Sequence, residues 1–274
     1  MQKEDNMSFF KQFPTISYDF DRNGVLQNVV NIYRSVRPLQ LFADNFSTYT
    51  YYTIKNGERP DVVSQRLYGT TNYYWTFFIL NDYLHDGLAA WPMSQEKLQQ
   101  YMENEYSGIA INTNPEIQRD NDQSIIDHRN SLAGRFTLGE TITGGTSGAT
   151  GTLHKKDVDL NQIVLKNVTG TFVGEPGVIS ESLTGGTSGD SVGTYEVFKH
   201  LDAPHHYYTT GDAEQRVQTN AVFVQGGVQS GQLSYQTNRS YLEESNENRS
   251  RLKVIDSKYV TQFADEFQRL IQNG

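Results

Sequence analysis

The sequence predicts an α+β chain: an irregular N-terminal arm, a strand followed by two helices, an inserted all-β repeat domain, and C-terminal strands closed by a helix. Three observations carry this. Over residues 49–82 an alternating aromatic and β-branched run gives way to two segments with helical spacing. The hexapeptide TGGTSG occurs twice, at 143–148 and 184–189, in a stretch rich in Gly and β-branched residues. Near the C-terminus Tyr259, Val260, Phe263, Phe267, Leu270 and Ile271 fall on one helical stripe.

Residues 1–48 read as an arm. Phe9, Phe10, Phe13, Ile16, Tyr18 and Phe20 are apolar anchors without helical spacing. One short helix is expected over 25–36, stopped before Pro38 because the residue preceding a proline avoids the helical region. Tyr49, Tyr51 and Thr53 then alternate with Thr50, Tyr52 and Ile54 as a strand, and Asn56-Gly57 supplies turn chemistry. Pro60-Asp61 opens a helix with Val62, Val63 and Leu67 roughly on one side, and Tyr68-Gly69 ends it. The following NYYWTFFILN reads as a second helix, too apolar to lie on a surface. Ser94 is placed to cap an amphipathic helix with Glu96 in its first turn and Leu98, Tyr101, Met102 and Tyr106 at helical spacing. Residues 109–132 are polar, contain Asn114-Pro115, and read as a loop or extended linker.

The repeat region reads as one small all-β domain of two related halves. Each TGGTSG lies downstream of a Phe and a Gly-Glu: Phe136 with Gly139-Glu140, and Phe172 with Gly174-Glu175. Each is followed by a Gly-Thr pair, at 151–152 and 193–194, and Ile163, Leu165 and Val168 are strand residues between the copies. Alternating strands return over 196–236, and Ser257 is a candidate cap for the final helix. The expected divisions are 1–48 (arm), 49–132 (strand, helices and linker), 133–196 (inserted all-β domain) and 197–274 (C-terminal strands and helix).

Composition narrows the function classes. A net charge of -9 and pI of about 5.1, with no basic run, argue against a nucleic-acid or anionic-membrane partner. Without cysteine there is neither disulfide frame nor thiolate metal site. The charged N-terminus lacks the apolar centre of a signal peptide, and the longest apolar run is far short of the roughly 20 residues that span a bilayer. The 17 Tyr pair contact area with a polar tip, so they serve interfaces as readily as cores.

Residue clusters that resemble reactive or metal sites read as structural. Asp19, Asp21, Asn23 and Gly24 match the start of a calcium loop, but the position of its bidentate Glu is Val30, so a plain turn is expected. His205-His206, on a strand, should point to opposite faces and pack as polar strand residues beside Tyr207 and Tyr208. TGGTSG lacks the Lys of a phosphate loop, no nucleophile elbow or cysteine nucleophile is present, and the Glu243-Glu244 and Asp265-Glu266 pairs lie in solvated, helix-like runs. The chain is therefore expected to be neither an enzyme nor a cofactor protein, with no metal site.

The succession strand, turn, helix, Tyr68-Gly69, helix with Trp75, then Asn81 resembles a LysM-like βααβ module. The longer stretch NGERPDVVSQRLYGTTNYYWTFFILNDYLHDGLAAWPMS is similar to the baseplate wedge subunit of T-even-type contractile phages, the gene-53-type protein. The aromatic SFFKQFPTISYDF and the C-terminal NRSRLKVIDSKYVTQFADEFQRLI fit the same family, whereas 134–195 departs from it and looks like small β repeats of phage tail proteins. The resemblance implies a structural virion protein of the contractile tail, assembled in the host cytoplasm. Its implied partners are other baseplate wedge subunits, with six wedges around a central hub and this subunit clamping neighbouring wedges. Tyr52, Tyr68, Gly69, Trp75 and Asn81 are then the module's positions, in core or interface, with Phe9, Phe10, Phe13, Tyr18, Phe263 and Phe267 as interface candidates. The competing reading is a peptidoglycan-binding LysM protein.

Overall fold

The structure, a computed structural model, describes residues 13–31, 48–114, 132–175, 178–217 and 233–273; Phe9 and Phe10 lie outside them. In chain order the strands are β1 (Thr15–Tyr18), β2 (Gln27–Val30), β3 (Tyr49–Thr53), β4 (Ile109–Asn114), β5 (Thr141–Gly144), β6 (Thr150–Asp157), β7 (Gln162–Thr169), β8 (Glu181–Gly185), β9 (Ser191–Lys199), β10 (Pro204–Thr209), β11 (Asp212–Val217), β12 (Leu233–Thr237) and β13 (Arg251–Ile255). The helices are α1 (Pro60–Tyr68), α2 (Trp75–Leu80), α3 (Gln95–Glu105), α4 (Asn238–Ser250) and α5 (Val260–Asn273). They belong to two compact units, residues 1–96 with 245–274, and residues 97–244. No helix among the described residues is long and apolar enough to cross a membrane.

In the first unit, β3 pairs antiparallel with β13, a strand almost 200 residues further along the chain, in register from Tyr49 opposite Ile255 to Thr53 opposite Arg251. Strand β3, helices α1 and α2 and strand β13 thus share one unit, with β13 supplied by a distant part of the chain. Gly69 ends α1 at φ +73°, where a side chain would strain the backbone, and its N–H reaches Gln65. The apolar NYYWTFFILN segment divides into a short 3₁₀ turn (Thr71–Tyr73), capped by Thr70, and α2. Asn56, in the turn after β3, accepts the first N–H of α3 through its side chain. Two apolar clusters hold the unit: Ile54, Val63, Phe77, Leu84, Trp91, Leu252 and Val254 form one. Phe13, Trp75, Ile255, Val260, Phe263, Phe267 and Ile271 form the other.

The helix expected over 25–36 is not what forms in its described part. Gln27–Val30 is β2, paired antiparallel with β1 in a two-stranded hairpin, and 32–47 lie outside the described residues. The connection explains the difference. Asp19 accepts the N–H groups of Asn23 and Gly24, and Asn23 accepts that of Val25, so a self-bonded turn commits the chain to reverse.

The second unit contains a closed barrel of six strands in the order β4-β7-β6-β5-β8-β9. Ile111, Leu132, Phe136, Ile142, Leu153, Ile163, Leu165, Phe172 and Leu183 fill it. The segment read as linker from Ile109 supplies β4, which bonds to both β7 and β9 and so closes the sheet. Closure removes the edges that an open sheet would present. Beside the barrel β10 pairs with β11 and β12.

The two TGGTSG copies turn out to serve each other. β5 and β8 pair about a pseudo-two-fold centred on Thr143 opposite Thr184. Buried Glu140 accepts the N–H groups of Thr187 and Ser188, each at 2.9 Å, and the Ser188 hydroxyl, all in the second copy. Buried Glu181 accepts the N–H groups of Thr146 and Ser147, at 3.2 and 3.0 Å, and the Ser147 hydroxyl in the first copy. Each carboxylate also accepts a local N–H, from Thr137 and Val173 respectively. A buried carboxylate costs several kcal/mol unless its oxygens are saturated in this way. Burial by itself would raise both carboxyl pKa values, but the converging bonds from Ser188, Thr137 and Thr187, and from Ser147, Val173 and Thr146, hold them below the usual value. Gly144 and Gly185 are obligatory, because a Cβ there would strike the serine hydroxyl and the carboxylate. The partner of Glu140 in the repeat is thus Glu181, not the Glu175 that follows Gly174. The spacing from the local donor to its carboxylate is 3 residues in the first half and 8 in the second, and this difference misaligns the Gly-Glu pairs.

The histidine pair also departs from expectation. The register slips between Pro204 and His206, so the strict alternation of side chains fails. His205 Nδ1 and His206 Nδ1 lie 2.9 Å apart, and the His205 ring stacks on Tyr241 at 3.7 Å. Burial, then the neighbouring His206, pushes the His205 pKa down to about 4.

Candidate interaction surface

The site that the sequence singles out lies in the first unit, and it is built around one strand. Ladder bonds Ile54 N–H to Ser250 O and Asp256 N–H to Thr48 O direct the even-numbered groups of β13 toward β3. The groups of residues 251, 253 and 255 therefore face the other edge, where side chains take the three carbonyls and the Lys253 N–H. The Tyr83 hydroxyl donates to Arg251 O at 2.9 Å, and the Tyr68 hydroxyl donates to Ile255 O at 3.1 Å. Between them the Asn81 amide donates to Lys253 O and accepts Lys253 N–H, both at 2.9 Å, while also donating to Phe77 O. Asn81 is 4% exposed, and its amide supplies a donor and an acceptor to the two main-chain groups of one residue. The side chains act as a substitute strand. Burial, ahead of any other cause, raises the Tyr68 pKa, so its hydroxyl stays a donor.

Glu58 organises the turn that leads into α1. It is buried, pairs with Arg66 at 2.9 Å, and accepts the Tyr52 hydroxyl and the Lys55 N–H. The Trp91 indole donates to Glu58 O at 2.8 Å, tying the Ala-Ala-Trp-Pro segment to the same turn. Trp75 is buried 4.9 Å from the Phe267 ring and 6.2 Å from that of Phe263. Tyr52, Tyr68, Trp75 and Asn81 thus all bear on the packing of this unit, with Gly69 setting the break between the helices. Phe13, Phe263 and Phe267, expected as interface residues, are instead buried in the unit's own core, because α5 turns its apolar stripe inward onto Trp75 and Ile255.

Two exposed surfaces stand out among the described residues of this unit. The first is the β1–β2 hairpin, where Tyr18, Phe20 and Leu26 are 54%, 59% and 67% exposed, accompanied by Ile16, Val25 and Val30. The Tyr18 and Phe20 rings meet edge to face at 5.1 Å. An exposed apolar row of this kind is a candidate contact surface. The second is the outward face of β3 and β13. There Lys253 Nζ lies 3.9 Å from the centre of the Tyr49 ring and the Arg251 guanidinium 4.5 Å from that of Tyr51. Nothing in sequence spacing pointed to this face, since its two strands are so distant in the chain. Among the described residues no group of three or more His, Asp or Glu is placed to hold a metal ion.

Residues 7–124, which carry the hairpin, β3, α1, α2 and the strand-covering side chains Tyr68, Asn81 and Tyr83, match the family described as base plate wedge protein 53. The match covers less than half of the 274 residues and supports a baseplate wedge protein of the gene-53 type. The match supports a structural role in the phage baseplate and implies contact with other baseplate components. The match stops before the barrel's repeats and leaves β13 and α5 outside, although β13 completes the sheet that the matched part begins. No curated protein matches the chain.

Proposed function

We propose that this wedge protein clamps neighbouring wedges of the baseplate through the first unit, using a LysM-like βααβ scaffold for protein contact rather than for glycan. The wedges stand six-fold around a central hub, and assembly takes place in the host cytoplasm. The observation that carries the reading is the exposed apolar row on the β1–β2 hairpin, which lies inside the family-matched region. Many copies around a ring let modest contacts sum to a stable assembly. The peptidoglycan-binding alternative draws no support from the family match. The repeats of the second unit are read as an insertion into the wedge sequence.

The test is incorporation of the purified chain into wedge assemblies that lack it. Replacing Phe20 and Leu26 together by Ser should leave the fold intact and weaken incorporation at least about tenfold, the loss expected for two buried apolar side chains. Unchanged incorporation would overturn the clamp, and saturable binding to peptidoglycan would restore the alternative.

A further inference from the structure

The two edges of the β3–β13 sheet are treated differently. On the β13 edge Tyr68, Asn81 and Tyr83 take the carbonyls of Arg251, Lys253 and Ile255, and Asn81 also takes the Lys253 N–H, so no acceptor there is left open to another chain. On β3 the alternation that commits residues 48, 50, 52 and 54 to β13 turns the peptide groups of Tyr51 and Thr53 outward, and these have no partner among the described residues. Both residues are exposed. Unpaired strand edges are templates for an added strand, and proteins normally block them with a covering chain or a charge on the strand itself. β3, reading Tyr-Thr-Tyr-Tyr-Thr, carries neither charge nor proline. The adjoining face adds a sign. The two strands together carry Arg251 and Lys253 and no carboxylate, in a chain of net charge -9. Both cations lie over tyrosine rings, which hold them against the sheet.

We propose that the outer edge of β3 receives an extended, acidic segment of another baseplate subunit, which adds as a third strand to the sheet. Main-chain bonds to Tyr51 and Thr53 supply affinity, and carboxylates on alternate residues meet Arg251 and Lys253 across the Tyr49 and Tyr51 rings. The inference rests on the baseplate reading above and names the chemistry of one partner. A second copy of this chain is disfavoured as occupant, because the face would then meet its own cations.

The experiment uses the full chain and purified wedge assemblies lacking it. Amide exchange is followed at Tyr51 and Thr53 before and after incorporation. Both amides should slow at least about tenfold on incorporation. Thr53→Pro removes an outward N–H without touching the ladder to β13, and should weaken incorporation up to about tenfold. The double variant Arg251→Glu with Lys253→Glu should weaken it further, and the dependence on salt seen for the wild type should flatten. Incorporation with unchanged exchange at both amides would overturn the edge proposal and leave the clamp standing. Protection without any effect of the charge reversal would overturn the acidic partner. Self-association of the isolated chain through β3, detected by the same protection, would replace the partner with a second copy. Failure of the wild type to incorporate at all would sink the baseplate reading instead.

Discussion

The two units solve one problem, unpaired backbone groups, in different currencies. In the first, neutral side chains stand in for a strand: two tyrosine hydroxyls and one amide bond the outer carbonyls of β13 and the Lys253 N–H. In the second, the sheet closes on itself, and the N–H groups left in its turns go to two buried carboxylates. The neutral device is nearly indifferent to acid. The charged one is strong only while its glutamates are ionised. The comparison teaches that the units should fail under different conditions although they share one chain.

Acid gives the largest contrast. Glu140 and Glu181 have folded pKa values below the usual 4.5, so their stabilisation is full above that value and fades as pH falls through the folded one. His200 and His205, held near 4 chiefly by burial, act in the same direction, from about pH 6.5 downward. Glu196, raised by burial, opposes them, contributing below 4.5 and losing its share as pH rises. All of these groups belong to residues 97–244, whereas both tryptophans, Trp75 and Trp91, lie in the other unit. Below pH 6 the far-UV circular dichroism of the barrel should be lost before tryptophan fluorescence changes. Coincident transitions would break the comparison.

Glu181→Gln sets an amide N–H₂ against backbone donors and should cost on the order of 3 kcal/mol, read by urea unfolding. The loss should appear in circular dichroism with the fluorescence transition unmoved, and Glu140→Gln should behave alike if the pseudo-two-fold is energetically real. Asn81→Ala removes both bonds to Lys253 and leaves a buried peptide unpaired, at about 2 kcal/mol, this time visible in tryptophan fluorescence. The smallest effect is expected at Gly69, where Ala must adopt a left-handed backbone with no steric clash, at about 1 kcal/mol in the same fluorescence assay.

How legible the protein was in its sequence depended on whether the information was local. Pro60, Tyr68-Gly69 and the Tyr-Thr alternation of β3 announce their elements because helix starts, left-handed stops and strand pleats are decided within a few residues. Ser94 preceding α3 is of the same kind. The stripe from Val260 to Ile271 gives a helix but not its neighbour, so Phe263 and Phe267 read as interface when they fill a core. β2 reads as helix because a valine-rich segment suits either period, and the Asp19 turn decides between them. β4 was missed because its polar flank hid a strand with neighbours on both sides.

By itself the sequence determined the repeated turns, the helices and strands with strong local signals, and the likeness of residues 7–124 to the wedge family. Only the tertiary structure decided that Glu140 answers Ser188, that Glu181 answers Ser147, and that Arg251–Ile255 is the strand on which Asn81 closes. The physical reason is common to all three. A hydrogen-bond acceptor or a strand edge carries no address in the chain, and its partner is selected by whichever groups the folded backbone leaves unpaired beside it.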